Sequence, residues 1–260
     1  MIEIKNLKKA YHNNQQTVEV FGDFNLNVND GEFITIFGPN GCGKTTLLNI
    51  VAGILTPDFG EINYNNKPID SLRIGFVFQD YRNSLFPWLR IKDNISFPLR
   101  LKNIDRKSRD DEVAKMCKKF SCTFNLESFP YELSGGQQQF ISLLRGLIIN
   151  PKVYLLDEPF SSLDYQTTLS MLEKLSEIWQ KTKITTLFVS HEIDEAIFLS
   201  QRIVLLSNKP SSIIKIFDNP LPYPRKISLL GTPEFAKLKK EILNIYSQEI
   251  LGTGVRSAIS

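Results

Sequence analysis

Apolar and polar positions divide the chain into short buried strands alternating with helices. Phe33-Ile34-Thr35-Ile36-Phe37, Arg73-Ile74-Gly75-Phe76-Val77-Phe78, Val153-Tyr154-Leu155-Leu156 and Thr185-Thr186-Leu187-Phe188-Val189 are near-continuous apolar runs. That is the pattern of strands covered on both faces. Ile2 to Leu7 and Thr17 to Val28 read as an antiparallel layer. Phe24-Asn25-Leu26-Asn27-Val28 alternates strictly, so one face of that layer is wet. Glu61-Ile62-Asn63-Tyr64, Asn65-Asn66 and Lys67-Pro68-Ile69 predict a hairpin, and Arg202 to Ser207 and Ser212 to Phe217 predict two late strands. Helices are expected from Thr46 to Ala52, from the opening Leu133-Ser134-Gly135-Gly136-Gln137 through Gln139, Leu143, Leu144 and Leu147, from Leu169 to Gln180 and from Pro233 to Glu249. Pro220-Leu221-Pro222-Tyr223-Pro224 reads as a stiff linker. From Asp93 to Pro130 the charge rises. Asp110-Asp111-Glu112 followed by Lys115, Lys118 and Lys119 has the acidic start and basic end of a helix, which predicts a mainly helical insert with a solvated face. Several strands that each end on a polar residue, with helices between them, describe an open α/β sheet that takes its ligand at the strands' carboxyl ends.

Composition narrows this further. The 260 residues are 42% hydrophobic, enough for a substantial core in one large domain or one and a half ordinary ones. A formal charge of +3 gives no argument for nucleic acid. No apolar run approaches the roughly 18–20 residues that span a membrane. The N-terminus alternates like a strand and lacks a signal-peptide core, so a cytosolic location is expected. Cys42, Cys117 and Cys122 have no metal-site spacing, and a reducing compartment argues against a disulfide.

The chemistry begins at Gly38-Pro39-Asn40-Gly41-Cys42-Gly43-Lys44-Thr45-Thr46, which fits the phosphate-binding pattern G-x-x-x-x-G-K-[ST] between a strand and a helix. Glycines let backbone N–H groups converge on a phosphate, and the new helix adds its amides and dipole. Lys44 supplies a mobile positive charge, and the Thr45 hydroxyl can reach Mg²⁺. Cys42, next to Lys44 and a helix N-terminus, is expected to carry a thiol of lowered pKa. The strand Val153 to Leu156 runs into Asp157 and Glu158. The first carboxylate can hold the metal's shell and the second can orient or deprotonate water.

With Leu133-Ser134-Gly135-Gly136-Gln137 added, the chain resembles the ATP-binding subunit of an ABC transporter over nearly all of its length. That pentapeptide matches the family's signature motif. The resemblance implies a P-loop NTPase core of α/β class with an antiparallel β subdomain and an inserted α-helical subdomain. It implies an ATP-binding domain over 1–232, with the insert at about 93–145, and a C-terminal helical extension over 233–260. It also implies roles residue by residue. Tyr11 is the aromatic that stacks on adenine. Gly38 to Thr46, with Ser134, Gly135, Gly136, Gln137 and Asp164, hold ATP. Thr45, Gln79 and Asp157 hold Mg²⁺. Lys44, Gln79, Glu158 and His191 are the catalytic set, Glu158 acting on water and His191 on the γ-phosphate. Phe140 departs from the family, which commonly has arginine there, and a local packing change is expected. Phe78-Gln79-Asp80 with Phe86-Pro87-Trp88-Leu89, and the tail from Pro222 through Phe235, resemble the nitrate, sulfonate and taurine importers.

The implied partners are membrane permease subunits docking near Phe86 and Trp88, a second cassette in a homodimer or heterodimer, and indirectly a solute-binding protein. The implied location is the cytoplasmic face of the cell membrane. Trp88 could be a docking anchor, or part of a small core joining the insert to the sheet. Three rivals fare worse. Cassettes that act on nucleic acid usually carry two copies, a coiled coil or a zinc module. Common guanine readers need Asn-Lys-x-Asp, which Asn66-Lys67-Pro68-Ile69 and Asn208-Lys209-Pro210-Ser211 lack. A degenerate, non-catalytic cassette would not be expected to retain Lys44, Asp157, Glu158 and His191.

Overall fold

The computed structural model describes residues 1–13, 16–69, 72–80 and 84–252. In chain order its main elements are β1 (Ile2–Asn13), β2 (Gln16–Val28), β3 (Phe33–Phe37), α1 (Lys44–Val51), β4 (Phe59–Tyr64), β5 (Lys67–Pro68), β6 (Ile74–Val77), α2 (Ile91–Leu101), α3 (Arg106–Lys119), α4 (Gly135–Leu147), β7 (Val153–Asp157), α5 (Tyr165–Thr182), β8 (Thr185–Ser190), α6 (Ile193–Leu199), β9 (Arg202–Leu206), β10 (Ile213–Asp218) and α7 (Pro233–Tyr246). They form two compact units, one from residues 1–71 and 183–260, the other from 72–182. Residues 253–260, the end of the expected C-terminal extension, lie outside the described residues.

The first unit holds two sheets. One is antiparallel in the order β2-β1-β4-β5, and its alternating strand β2 buries Val20, Phe24, Leu26 and Val28 while Asn25 and Asn27 face water. In the other, β3 lies between β8 and β9 and is parallel to both, and β10 pairs antiparallel with β9. All residues of β3 and β8 are buried, as their continuous apolar runs predict. The β3–β8 register pairs Phe33 with Thr186 and Phe37 with Ser190. It therefore brings the residues after Phe37 and after Ser190 to the same sheet end, the carboxyl end at which such sheets bind ligands.

The helix α7 belongs to this unit's core. Phe235, Leu238 and Ile242 pack with Phe37, Ile197, Leu205 and Phe217, and the Tyr246 ring sits 5.5 Å from that of Phe37. The segment Pro220 to Pro224 is not a free linker. Leu221 is buried in the same cluster, and the Tyr223 hydroxyl donates to the Leu199 carbonyl at 2.5 Å. Just beyond it, the buried Arg225 guanidinium donates to the carbonyls of Ile197, Phe198 and Ser200 at 2.8–3.0 Å. A helix leaves its last carbonyls without partners, and here a distant arginine satisfies those of α6. Proline spacing gives no sign of that long-range contact.

In the second unit β6 and β7 are parallel, and the register Val77↔Leu156 puts the residues after each strand at one end. Helix α2 packs on α3 and α4, and α4 on α5. Helix α3 buries only Val113 and is capped by the Asp105 carboxylate on the Ser108 N–H, so its charges do form a solvated face. Helix α5 begins at Tyr165, ahead of the apolar run at Leu169, because Asp164 caps it. No helix among the described residues is long and apolar enough to cross a membrane.

Candidate active site

In the first unit the turn from β3 into α1 is fixed by its glycines. Gly43, the residue before α1, has φ +117, and a Cβ there would lie 2.5 Å from Val20 Cγ1. Backbone conformation and space both require glycine. Gly41 has φ +77 but faces open space. No side chain caps α1 and no acid lies in its first turn, so its positive end is available to an anion. Lys44 is 5% exposed, and its ammonium donates to the carbonyls of Gly38 at 2.9 Å and Pro39 at 3.0 Å. The loop thus holds the cation beside itself, where a phosphate could compete for it.

Around this turn, Thr45 is exposed, and the Tyr11 hydroxyl lies 3.4 Å from Thr46 Oγ1. The Tyr11 ring is 42% exposed, with the Lys9 ammonium 5.9 Å from its centroid. Cys42 corrects an expectation. It is buried, its carbonyl accepts a hydrogen bond from the Ser211 hydroxyl, and burial pushes its thiol above the usual range despite the charge of Lys44.

At the same sheet end, His191 follows β8, its Nε2 3.5 Å from a Glu192 carboxylate oxygen. Behind it the buried Ser190 hydroxyl donates to Glu195 Oε2 at 2.6 Å and accepts the Glu192 N–H at 2.9 Å. This clamp fixes the turn that carries His191. The sequence reading missed Ser190 and Glu195. The available signal was a glutamate beside Ala196 and Ile197 on a helix otherwise apolar at those positions.

In the second unit β7 ends on the buried carboxylate of Asp157. Glu158 follows at φ +42, an uncommon left-handed setting for a glutamate. Gln79, just past β6, donates from Nε2 to Glu158 Oε2 at 3.4 Å. The expected glutamine and glutamate are therefore brought together.

The signature turn opens α4 with a capping box. Gln137 N–H donates to Ser134 Oγ at 3.4 Å, and Ser134 N–H donates to Gln137 Oε1 at 3.0 Å. A Cβ on Gly136 would lie 2.4 Å from Thr167 Cγ2. Thr167 is in turn held by Asp164, through its N–H at 3.0 Å and its hydroxyl at 2.6 Å, and these bonds lower the Asp164 carboxyl below its ordinary pKa. Phe140 is buried, edge-on to Phe124, with the Lys174 ammonium 4.7 Å from its centroid.

The segment around Trp88 divides in two. Leu85 is core, whereas Trp88 is 70% exposed, its ring 5.6 Å from Phe86. Trp88 is therefore not part of a core. Phe86 is half-buried between Phe97 and the Arg145 guanidinium. The fully buried Asn94 secures the turn by accepting the Phe86 N–H and donating to the Phe86 and Leu89 carbonyls. Sequence reading gave Asn94 no role.

Comparison with known proteins agrees with this geometry. The family model described as "ABC transporter" matches residues 21–161. An aliphatic sulfonates import ATP-binding protein SsuB of Bacillus cereus is 40% identical over 244 residues, 93% of this chain and 94% of the relative. The uncharacterized ABC transporter ATP-binding protein MJ0412 of Methanocaldococcus jannaschii is 38% identical over 252 residues, 96% of this chain and 92% of the relative. Among solved structures, a dimeric post-hydrolysis state of the ATP-binding cassette MJ0796 bound to ADP and Pi superposes with a TM-score of 0.73 at 29% identity, covering 85% of this chain and 100% of that one. A P-loop, a signature turn and a carboxylate pair, matched by relatives along nearly the whole chain, establish that this protein belongs to the ABC transporter family as an ATP-binding subunit, an ABC ATPase.

Proposed function

We propose that the chain powers an importer of small anionic solutes of the sulfonate, taurine or nitrate class, coupling Mg-ATP hydrolysis to transport through separate membrane subunits. The observation that carries this reading is the Gln79–Glu158 hydrogen bond. It joins the candidate catalytic carboxylate to the strand end that leads toward the exposed Trp88. The 40% identity to an aliphatic sulfonates import protein supports the solute class.

The residues present fit ATP and Mg²⁺. The loop has open space at Gly41, a buried lysine within reach of its own carbonyls and an uncapped helix start, and Asp157 carries a buried carboxylate, a hard oxygen donor of the kind Mg²⁺ takes. Gly38 to Thr46 would cradle the phosphates and Tyr11 the adenine. Thr45, Asp157 and Gln79 would hold the metal, which supplies charge neutralisation when bound. Glu158 orients and deprotonates water, and His191 contacts the γ-phosphate. Ser134, Gly135, Gly136 and Gln137, with Asp164, serve the nucleotide of a second cassette in a head-to-tail pair. On this reading residues 1–232 are the ATP-binding domain and 233–260 its C-terminal extension. The subunit is peripheral on the cytoplasmic face, where Phe86 and Trp88 receive the permease.

Glu158→Gln tests the reading. It is expected to retain ATP binding, lose about 10²–10⁴-fold in turnover, and accumulate as a dimer in Mg-ATP by light scattering. Parent-level hydrolysis would remove Glu158 from its role. For the solute, the subunit co-purified with its permease and binding protein should show ATPase stimulation by alkyl sulfonates, taurine or nitrate. Stimulation by a cationic or sugar substrate alone would overturn the class.

A further inference from the structure

Helix α3 ends in a turn that brings two cysteines together. Ser121 stands at φ +52, the left-handed residue that closes a helix. Its N–H points to the Lys118 carbonyl at 3.5 Å, and the Cys122 N–H donates to the Cys117 carbonyl at 2.9 Å. In this closure the side chain three residues before the C-cap, here Phe120, meets the one just past the bend. Here both are cysteines, set side by side by the backbone bond between them. Both are half-buried and free. The turn is held from outside: the Lys181 ammonium donates to the Lys119 carbonyl at 2.9 Å and lies 5.9 Å from the buried Phe120 ring. A closure that sets these two side chains on neighbouring, hydrogen-bonded backbone positions needs little rearrangement to bond their sulfurs.

We propose that Cys117 and Cys122 are a dithiol modification site, oxidised by a peroxide-class oxidant to an internal disulfide that locks the C-terminal turn of α3. The Cys117 sulfur attacks one peroxide oxygen, the O–O bond breaks, and a first water leaves with the Cys117 proton, giving a sulfenic acid. The Cys122 sulfur attacks the Cys117 sulfur, the S–S bond forms, the S–O bond breaks, and the hydroxyl leaves as a second water with the Cys122 proton. Two thiols lose two electrons and one hydrogen peroxide is reduced to two waters. The neighbouring thiols shift each other, Cys117 below its ordinary range and Cys122 above its own, the direction that suits Cys117 to attack and Cys122 to resolve. Such a disulfide is reversible, as redox-sensing pairs are.

The test uses the full chain, reduced, treated with hydrogen peroxide, quenched with N-ethylmaleimide and read by intact mass and tryptic mapping. Trypsin cuts after Lys118 and Lys119, between the two cysteines, so the expected product is a pair of peptides joined through Cys117 and Cys122 in a monomeric chain. It should show the loss of two hydrogens and two alkylatable thiols, reversed by dithiothreitol. Cys122→Ser should stop Cys117 at the sulfenic acid, trapped by dimedone, whereas the parent traps none there. Separate oxidation of the two sulfurs in the parent, a link between two chains, or two thiols still alkylated after peroxide would each overturn the proposal. So would equal dimedone labelling of Cys117 in parent and variant. The readout needs no nucleotide, so it stands apart from the transport reading.

Discussion

Two glycine-rich turns start helices in this protein, and they are built in opposite ways. The turn into α1 has no side-chain cap. Gly43 stands in the left-handed region under Val20, and Lys44 folds back on the loop's carbonyls. The turn into α4 is capped on both sides, by Ser134 and Gln137, and its Gly136 is excluded from having a side chain by Thr167 of α5. Both present a helix N-terminus. The first leaves its amides to an incoming anion. The second already satisfies part of its own, so any phosphate it serves must share or displace the Ser134–Gln137 pair. Glycine in the first turn is set by backbone shape and in the second by a neighbouring helix.

Changes at the two turns test this contrast. Lys44→Ala should have the largest effect: a buried phosphate charge loses its partner, costing about 3–5 kcal/mol, roughly a hundred-fold or more in ATP affinity by fluorescent-nucleotide titration. Retained affinity would mean that the amides alone hold the phosphates. Next come the loop glycines compared with each other. Gly43→Ala meets both strain and a 2.5 Å contact, and is expected to cost about 2–4 kcal/mol of stability in urea melts. Gly41→Ala meets strain alone, about 1–2 kcal/mol. Equal losses would show that space under Val20 does not matter.

The second turn is then probed by coupling. Gly136→Ala should cost about 1–3 kcal/mol from overpacking. Thr167→Ser removes the opposing methyl and keeps the hydroxyl that Asp164 accepts, so the double variant should recover at least about 0.5 kcal/mol. Additive losses would disprove the contact as the reason for glycine. The smallest effect concerns Asp164, whose carboxyl is fully exposed and lowered by the Thr167 bonds. A lowered folded pKa contributes stability above the unfolded value, near 3.9, and loses it as pH falls through the folded one. The stability gap between parent and Asp164→Asn should be full at neutral pH and close below about pH 4. A gap that persists in acid would make the cap independent of charge.

The sequence by itself determined the short-range features. Buried runs gave β3, β7 and β8, alternation gave the wet face of β2, and the spacing of glycine, lysine, serine and glutamine marked both turns. These follow from backbone sterics and hydrogen bonds between residues a few positions apart, which any chain with that spacing must satisfy. Gln79 and Glu158 could be named from their motifs, but the parallel register of β6 and β7 is what joins them. Only tertiary structure decided the rest. Cys42 has the neighbours of a reactive thiol, yet burial raises it. Leu85 and Trp88 are similar in hydrophobicity, yet one is core and the other exposed. Pro220 to Pro224 reads as a linker until Arg225 and Tyr223 reach the end of α6. Cys117 and Cys122 meet only because Ser121 turns the chain. In each case the deciding quantity is solvent access or a specific neighbour, and chain folding sets that where local spacing does not.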